Sequence, residues 1–172
     1  MHPSSIENMK KCRNEFLVLK ENIDILDVGG RGLKKANRSY YPIFQDVAKN
    51  YFIADIVAGP GVTHVMPEPY VIPMTDNSVD LIVSGQTLEH VKNPFRSVAE
   101  MTRVLKPRGY IALIAPSAGP RHDVIDCWRF MDDSFAAIAE ECDLETIADW
   151  IHQGPSGREY EWRDHIFVGQ KK

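Results

Sequence analysis

The sequence predicts an α/β fold in which a mostly parallel central sheet has helices on both faces and is trimmed on one side. Short apolar segments of strand length alternate with segments whose apolar residues recur at helical spacing, which is typical of such sheets. Two strand segments follow each other too closely for a connecting helix, which predicts the trimmed side. The 172 residues suffice for one domain with a substantial core, so we expect a single domain over 1–172.

The helices are predicted from apolar spacing and from their boundary residues. Ser4 and Glu7 form a capping-box pattern, and the apolar residues that follow at helical spacing predict a helix over about 5–20. A proline begins the helical segment 94–105, and a third helical pattern covers 134–142.

The strands are predicted from short β-branched or apolar runs that end at turn residues. These runs cover 23–28, 51–56, 63–66, 79–84, 110–115, 144–151 and 165–169. Glycine and proline between the second and third runs leave little room for a crossover helix. The segment 106–109 contains proline and glycine and is interpreted as the stop signal between a helix and the next strand.

Charge and cysteine usage exclude several classes of function. The formal net charge is −4 and there is no long run of Lys or Arg, so we expect no nucleic-acid partner. Charged residues interrupt the apolar residues of 1–20, so we expect no membrane segment and a cytoplasmic location. Three cysteines without a CxxC spacing indicate neither a disulfide framework nor a zinc site, and no metal site is predicted. A homo-oligomer is compatible with the sequence, but no feature supports one.

Polar and glycine residues follow the first two predicted strands, where ligands of parallel sheets bind. Gly29 and Gly30 would let a ligand approach the backbone closely, although a glycine turn can also be only a turn. Asp55 follows the second strand, where a carboxylate can accept hydrogen bonds from both hydroxyls of a ribose. A nicotinamide-binding fingerprint would need a third glycine at the position of Lys35, and no P-loop ending occurs, so both nucleotide-binding classes are disfavoured.

Further motifs decide between the remaining classes. From about 25 to 116 the chain carries, in order, Asp27-Val28-Gly29-Gly30, Glu68-Pro69-Tyr70, Ile72-Pro73-Met74, Leu88-Glu89-His90-Val91 and Arg103-Val104-Leu105-Lys106-Pro107. This series resembles the class I S-adenosylmethionine-dependent methyltransferases, especially the type 11 group. The resemblance implies a Rossmann-like fold, S-adenosyl-L-methionine as cofactor, and methyl transfer to oxygen, nitrogen or carbon of a small molecule such as a sugar or another metabolite. We expect the single domain to comprise an N-terminal helix (1–22), a cofactor-binding core (23–116) and an acceptor-side part (117–172).

The resemblance assigns the cofactor-binding residues to four strand ends. Asp27, Gly29, Gly30 and Arg31 would lie along the methionine end, Asp55 with Ile56 at the ribose, Glu68 with Pro69 and Tyr70 at the adenine, and Ser84, Gly85 and Gln86 under the methionine portion. Arg31 departs from the family pattern, which usually has glycine there. A related subset carries the same D-V-G-G-R segment and a later motif that 38–44 loosely matches, so we interpret Arg31 as part of a variant loop that still binds.

The segment after the strand 110–115 resembles an H-x-x-x-D-x-W-R-F loop that faces the acceptor in part of the same family. His122 is then the candidate base, with Asp126 as its orienting partner or an alternative base. Trp128 and Arg129 would contact the acceptor, and Arg129 could hold an anionic group. The alternative is structural: Trp128 packs under the next helix and Asp126 pairs with Arg129. His90 would either line the pocket as a substrate-binding residue or fix its own loop by hydrogen bonds.

A rival function from another class is a cofactor-binding regulatory or scaffold module that performs no catalysis. Arg31 and the short crossover after Asp55 are the features that support it.

Overall fold

The computed structural model describes residues 3–31, 39–153 and 162–172 and places seven strands in one sheet. The strands are β1 (Ile23–Val28), β2 (Ala48–Asp55), β3 (His64–Val65), β4 (Val79–Gly85), β5 (Leu105–Ala118), β6 (Leu144–Gln153) and β7 (Arg163–Lys171). The α-helices are α1 (Pro3–Lys11), α2 (Tyr41–Phe44), α3 (Pro94–Val104) and α4 (Ser134–Glu141). A π-helical turn (Cys12–Phe16) follows α1, and a 3-10 turn (Leu88–His90) precedes α3.

The strand order is β3-β2-β1-β4-β5-β7-β6. The first five strands pair in parallel, and β7 runs antiparallel to both of its neighbours. The order reverses between β1 and β4, so the connections from these two strands leave in opposite directions. The carboxyl ends of β1, β2 and β4 therefore frame a crevice of the kind in which open α/β sheets bind ligands.

Two apolar cores cover the two faces of the sheet, which confirms the predicted fold class. One core contains Val98 and Met101 of α3 together with Phe135 of α4. The other contains Met9 of α1 and Phe44 of α2. The trimmed side is also present, because no helix lies in the described stretch between β2 and β4.

The N-terminal helix is shorter than the predicted 5–20. The regular helix ends at Lys11, and the π-helical turn widens the chain until Leu17 adopts an extended conformation. The amide of Leu17 donates to the carbonyl of Cys12 at 3.1 Å, and the Leu17 side chain is buried. The helix therefore ends where Leu17 joins the core.

The predicted stop segment 106–109 lies inside the long strand β5. Leu105 pairs with Val79 and Tyr110 pairs with Leu81, so the pairing register shifts across this segment. Arg108 has a positive φ of 65° and absorbs the irregularity. The turn residues thus mark a bulge in a continuous strand rather than the space before it.

No helix among the described residues is long and apolar enough to cross a bilayer.

Candidate active site

A cavity of about 340 Å³ lies at the carboxyl ends of β1, β2 and β4. This volume lies within the range of small-molecule sites in proteins. Its walls come from all three strand ends, from the loop before β4, and from the loop after β5. The lining residues are Val28, Gly29, Arg31, Ala54, Asp55, Ile56, Val57, Met66, Pro69, Gln86, Thr87, His90, Val91, Ser97 and Asp123.

The glycine turn after β1 forms one wall and has no room for side chains. Gly29 has a φ of +81°, and a Cβ on it would lie 2.1 Å from Oγ1 of Thr87. A Cβ on Gly30 would lie 2.5 Å from the carboxyl group of Asp27. The backbone of the turn therefore packs closely against Thr87 and Asp27, and at Gly29 it lines the cavity.

Asp27 lies beneath this turn and shapes it. Its carboxylate is buried and accepts hydrogen bonds from the amide of Tyr40 at 3.0 Å and from the hydroxyl of Tyr51 at 2.8 Å. Burial raises the pKa of Asp27 to about 7. This residue therefore supports the loop from behind, and its side chain is not among those that line the cavity.

Asp55 ends β2 at the opposite wall and faces the same cavity. Its Oδ1 accepts from the amide of Val57 at 2.9 Å and lies 3.8 Å from Nε of Arg31. The Arg31 side chain crosses over Gly59, where a Cβ would lie 2.9 Å from Cδ of the arginine. The arginine that replaces the expected glycine is thus directed toward the carboxylate of Asp55.

The end of β4 is fixed by contacts with three other elements. Ser84 donates from Oγ to the carbonyl of Val28 at 2.8 Å, which ties β4 to β1. A Cβ on Gly85 would lie 1.8 Å from the hydroxyl of Tyr40. Gln86 has a positive φ of 57° and donates from Nε2 to Asp164 at 2.9 Å. Gln86 reaches the cavity, whereas Ser84 and Gly85 hold the strand end behind it.

The loop before β4 contributes Pro69 to the cavity. Tyr70 contacts helix α3: its hydroxyl accepts from the amide of Asn93 at 3.1 Å, and the guanidinium of Arg96 lies 4.5 Å from its ring centroid. The side chain of Glu68 is exposed and is not among the lining groups. The tyrosine therefore positions the start of α3.

The loop after β5 folds back over the 3-10 turn. The amide of Cys127 donates to the carbonyl of Glu89 at 2.7 Å, and Nε1 of Trp128 donates to the carbonyl of Val91 at 2.8 Å. Arg129 forms a two-pronged ion pair with Asp126, with N–O distances of 2.5 Å and 2.9 Å. The guanidinium also donates to the carbonyls of Gly119 and Pro120, so this pair closes the base of the loop.

The ion pair decides what Asp126 can do. Its hydrogen bonds with Arg129 hold the pKa of Asp126 well below its ordinary value. Oδ2 of Asp126 also lies 3.0 Å from Nδ1 of His122. A carboxylate this acidic is a poor proton acceptor but a good orienting partner for the imidazole.

Glu89, His90 and His122 meet at the contact between the 3-10 turn and this loop. The rings of His90 and His122 lie 5.1 Å apart, and Nδ1 of His90 lies 2.5 Å from the carbonyl oxygen of Ile125. Glu89 is completely buried, and burial raises its pKa to about 7.

Comparisons with known proteins agree with this geometry. The sequence model of a methyltransferase domain family, type 11, matches residues 46–113. An uncharacterized methyltransferase of Mycobacterium avium is 32% identical over 95 residues, which are 52% of this chain and 38% of the relative. The chain therefore spans well under half the length of the curated relatives it matches. Over residues 46–113 this chain is therefore similar to the class I methyltransferases of the type 11 group.

Solved structures show the same fold for the methyltransferase domain. The YcgJ protein of Bacillus subtilis superimposes with a TM-score of 0.75 at 14% identity and covers 99% of both chains. An S-adenosylmethionine-dependent methyltransferase of Mesorhizobium loti superimposes with a TM-score of 0.66 at 12% identity, covering 98% of this chain and 96% of its own. At these identities the likeness concerns the fold.

The structure separates the residues that the sequence assigned to the site. Those that line the cavity are Gly29, Arg31, Asp55, Ile56, Pro69, Gln86 and His90. Those that support its walls are Asp27, Gly30, Tyr70, Ser84 and Gly85. The loop residues His122, Asp126, Trp128 and Arg129 lie outside the lining set, although Asp123 of the same loop belongs to it.

Sequence reasoning assigned no role to several lining residues. Thr87 and Val91 lie on either side of the 3-10 turn Leu88–His90, and the conformation of this turn brings both residues to the cavity. Ser97 is on α3 and Asp123 is in the loop after β5, and only the packing of these elements against each other brings both to the cavity. Glu89 stood in the Leu-Glu-His-Val motif without a role, and its complete burial was the missing information.

Proposed function

We propose that this methyltransferase domain binds S-adenosyl-L-methionine in the cavity and transfers its methyl group to a small-molecule acceptor. The observation that supports this most is the meeting of two features in one cavity, the exposed glycine backbone at Gly29 and the carboxylate of Asp55. A glycine without room for a Cβ fits close approach of a ligand, and a carboxylate at this strand end fits a ribose.

The proposed orientation of the cofactor follows the walls of the cavity. Asp55, Ile56 and Pro69 would hold the adenosine end, and Gly29 with Gln86 would hold the methionine end. When bound, the cofactor supplies an electrophilic methyl group on sulfur, which a nucleophile takes by in-line displacement while the C–S electrons remain on sulfur. The protein mainly has to align the two reactants.

The proposed acceptor side is the loop after β5. His122 is the residue that could take a proton from an acceptor hydroxyl, because Asp126 lies 3.0 Å from its Nδ1 and orients the ring. Asp126 itself loses support as the base, since its pair with Arg129 keeps it ionised. The guanidinium of Arg129 is held by Asp126, and Nε1 of Trp128 donates to the carbonyl of Val91. These contacts favour a structural role for Arg129 and Trp128 over direct binding of the acceptor.

A small molecule is the proposed acceptor class because the charge does not favour nucleic acid. The formal net charge is −4, whereas phosphate-binding surfaces need clustered Lys and Arg. The proposal keeps the division of the chain into a cofactor-binding core (23–116) and an acceptor-side part (117–172).

The proposal can be tested in two steps. Titration calorimetry should first show one site for S-adenosylmethionine and for S-adenosylhomocysteine per chain. The protein is then incubated with methyl-labelled S-adenosylmethionine and a metabolite extract, with Asp55→Ala as the matched inactive control. Label in the small-molecule fraction that depends on Asp55 supports the proposal.

Three other outcomes contradict it in different ways. No cofactor binding by the folded protein overturns the proposal as a whole. Binding without label transfer to any fraction favours the non-catalytic regulatory or scaffold module, for which the pairing of Arg31 with Asp55 is the supporting contact. Label in the RNA or protein fraction would support methyl transfer but would contradict a small molecule as the acceptor.

A further inference from the structure

One cluster at the edge of the cavity has the composition of a metal site. Glu89 and His90 come from the 3-10 turn after β4, and His122 comes from the loop after β5. One ligand atom from each residue lies within 4.8 Å of the other two. His90 also lines the cavity, so this cluster borders the space where small molecules would enter.

The carboxylate of Glu89 is the most deeply buried donor of this cluster. Its side chain is 0% exposed, and neither carboxylate oxygen has a hydrogen-bond partner within the described part of the chain. Nε2 of His90 lies 3.6 Å from Oε1 of Glu89, which is beyond hydrogen-bonding distance. Burying a carboxylate without a partner is costly, and buried carboxylates are normally paired, protonated or bound to a metal.

The two histidines are held in the orientation that metal ligands adopt. Nδ1 of His90 lies 2.5 Å from the carbonyl oxygen of Ile125, which can only accept, so Nδ1 carries the proton and Nε2 has the free lone pair. Nδ1 of His122 lies 3.0 Å from the carboxylate of Asp126, which leaves Nε2 of that ring free as well. An oxygen acceptor on one ring nitrogen and a metal on the other is the usual arrangement of metal-binding histidines.

We propose that Glu89, His90 and His122 bind a divalent transition-metal ion, with Zn²⁺ as the reference ion. Two imidazoles and one carboxylate suit Zn²⁺, Fe²⁺ and Co²⁺. Zinc–ligand bonds of about 2.0–2.1 Å place neighbouring tetrahedral donors about 3.3 Å apart, so the donor atoms must close by up to about 1.5 Å. His122 can supply that movement, since it is on an exposed loop and its side chain is 30% exposed.

This site departs from the sequence-based expectation of no metal. Glu89 and His90 are adjacent, and the third donor comes from a loop beyond β5 that only the fold brings near. Three protein ligands would leave a coordination position for water or for an oxygen of a cavity ligand. The proposal concerns cation binding, and it stands whether or not the domain transfers methyl groups.

The test uses the full chain without a histidine tag, treated with a chelator and then dialysed. Zn²⁺ is titrated in competition with a chromogenic chelator, and Co²⁺ is titrated with visible absorption as a spectroscopic readout of its coordination. We expect one equivalent per chain, a loss of affinity greater than about 100-fold in His122→Ala, and a loss of about 10- to 100-fold in Asp126→Asn, which removes the orienting carboxylate. His64→Ala is the matched control, because His64 lies on strand β3 and is not one of the three candidate ligands, and this variant should bind like the wild type.

Two results overturn the proposal. One is the absence of saturable Zn²⁺ or Co²⁺ binding by the folded wild-type protein. The other is binding that His122→Ala and Glu89→Gln both leave unchanged. His122→Ala keeps the test decisive if Glu89→Gln fails to fold, because His122 is on the exposed loop. S-adenosylhomocysteine binding, measured on the same samples, reports on the proposed function separately.

Discussion

Replacing Asp55 by Asn should weaken cofactor binding without unfolding the domain. The Asp55 side chain is 14% exposed at the cavity wall, and an asparagine oxygen can still accept from the amide of Val57. The substitution removes a charged acceptor for the ribose hydroxyls, and hydrogen bonds to charged groups contribute about 1.5–3 kcal/mol. The dissociation constant of S-adenosylhomocysteine should therefore rise by about 10- to 150-fold.

The neighbouring Arg31 provides a comparison within the same site. Its Nε lies 3.8 Å from Oδ1 of Asp55, and its side chain is 34% exposed. An exposed ion pair of this kind contributes about 0–1 kcal/mol, so Arg31→Ala should change the dissociation constant by less than about fivefold. A much larger loss would mean that Arg31 contacts the cofactor directly.

Calorimetry and thermal unfolding, run on the same preparations, separate binding from folding. Asp132→Asn is the control, because its side chain is exposed and outside the cavity lining. An unchanged dissociation constant in a folded Asp55→Asn variant would remove Asp55 from the site and refute the orientation proposed for the adenosine end.

The packing and the charges support three further predictions. Gly85→Ala should lower the free energy of unfolding by about 1–3 kcal/mol in urea titrations, because its Cβ would lie 1.8 Å from the buried hydroxyl of Tyr40. Adding Tyr40→Phe should restore part of this loss. Full stability of the Gly85→Ala variant would contradict the packing described for this position. Burial raises the pKa of Asp27 to about 7 from 3.8, so the folded state retains its proton longer than the unfolded state and stability should fall as pH rises from about 4 to 7. Asp27→Asn should reduce this dependence of the free energy of unfolding on pH, and the part that remains should come from Glu89, whose pKa is also raised. An unchanged pH dependence in Asp27→Asn would refute the conclusion that Asp27 is a buried acid with a raised pKa. A tRNA gel shift at physiological salt should show no sub-micromolar complex, given the net charge of −4.

The strands near the site were predictable because their boundary signals are local. β1 was predicted with the bounds 23–28 that the structure shows, since a β-branched run ends there at two glycines. The end of the first helix could not be predicted, because Leu17 leaves the helix to enter the core and neither glycine nor proline marks that point. The helix α3 ends at Val104, as the stop signal at 106–109 predicted, but the start of the next strand at 110 was wrong, since pairing with β4 already begins at Leu105. Tertiary pairing overrode a correct local turn signal.

The same distinction applies to the site. Asp55 could be identified because an acid at the carboxyl end of a parallel strand must lie at the end of the sheet where ligands bind. The supporting role of Asp27 could not, because it depends on Tyr40 and Tyr51, which approach its carboxylate from elsewhere in the chain. For Asp126 the sequence left a catalytic and a structural interpretation open, and only the contacts with Arg129 favour the second.

The two roles considered for His122 exclude each other, because a single free lone pair on Nε2 can accept a proton or bind a metal ion but cannot do both. Asp126 orients the ring in either case, so Asp126→Asn alone would not distinguish them. The buried carboxylate of Glu89 does distinguish them, since a base needs no such neighbour whereas a metal site needs its negative charge. If His122 acts as a base, a chelator leaves the methyl-transfer rate unchanged. If it is a ligand, Glu89→Gln and His122→Ala should both weaken Zn²⁺ binding while cofactor affinity persists, because the cofactor contacts at Gly29 and Asp55 come from other strand ends.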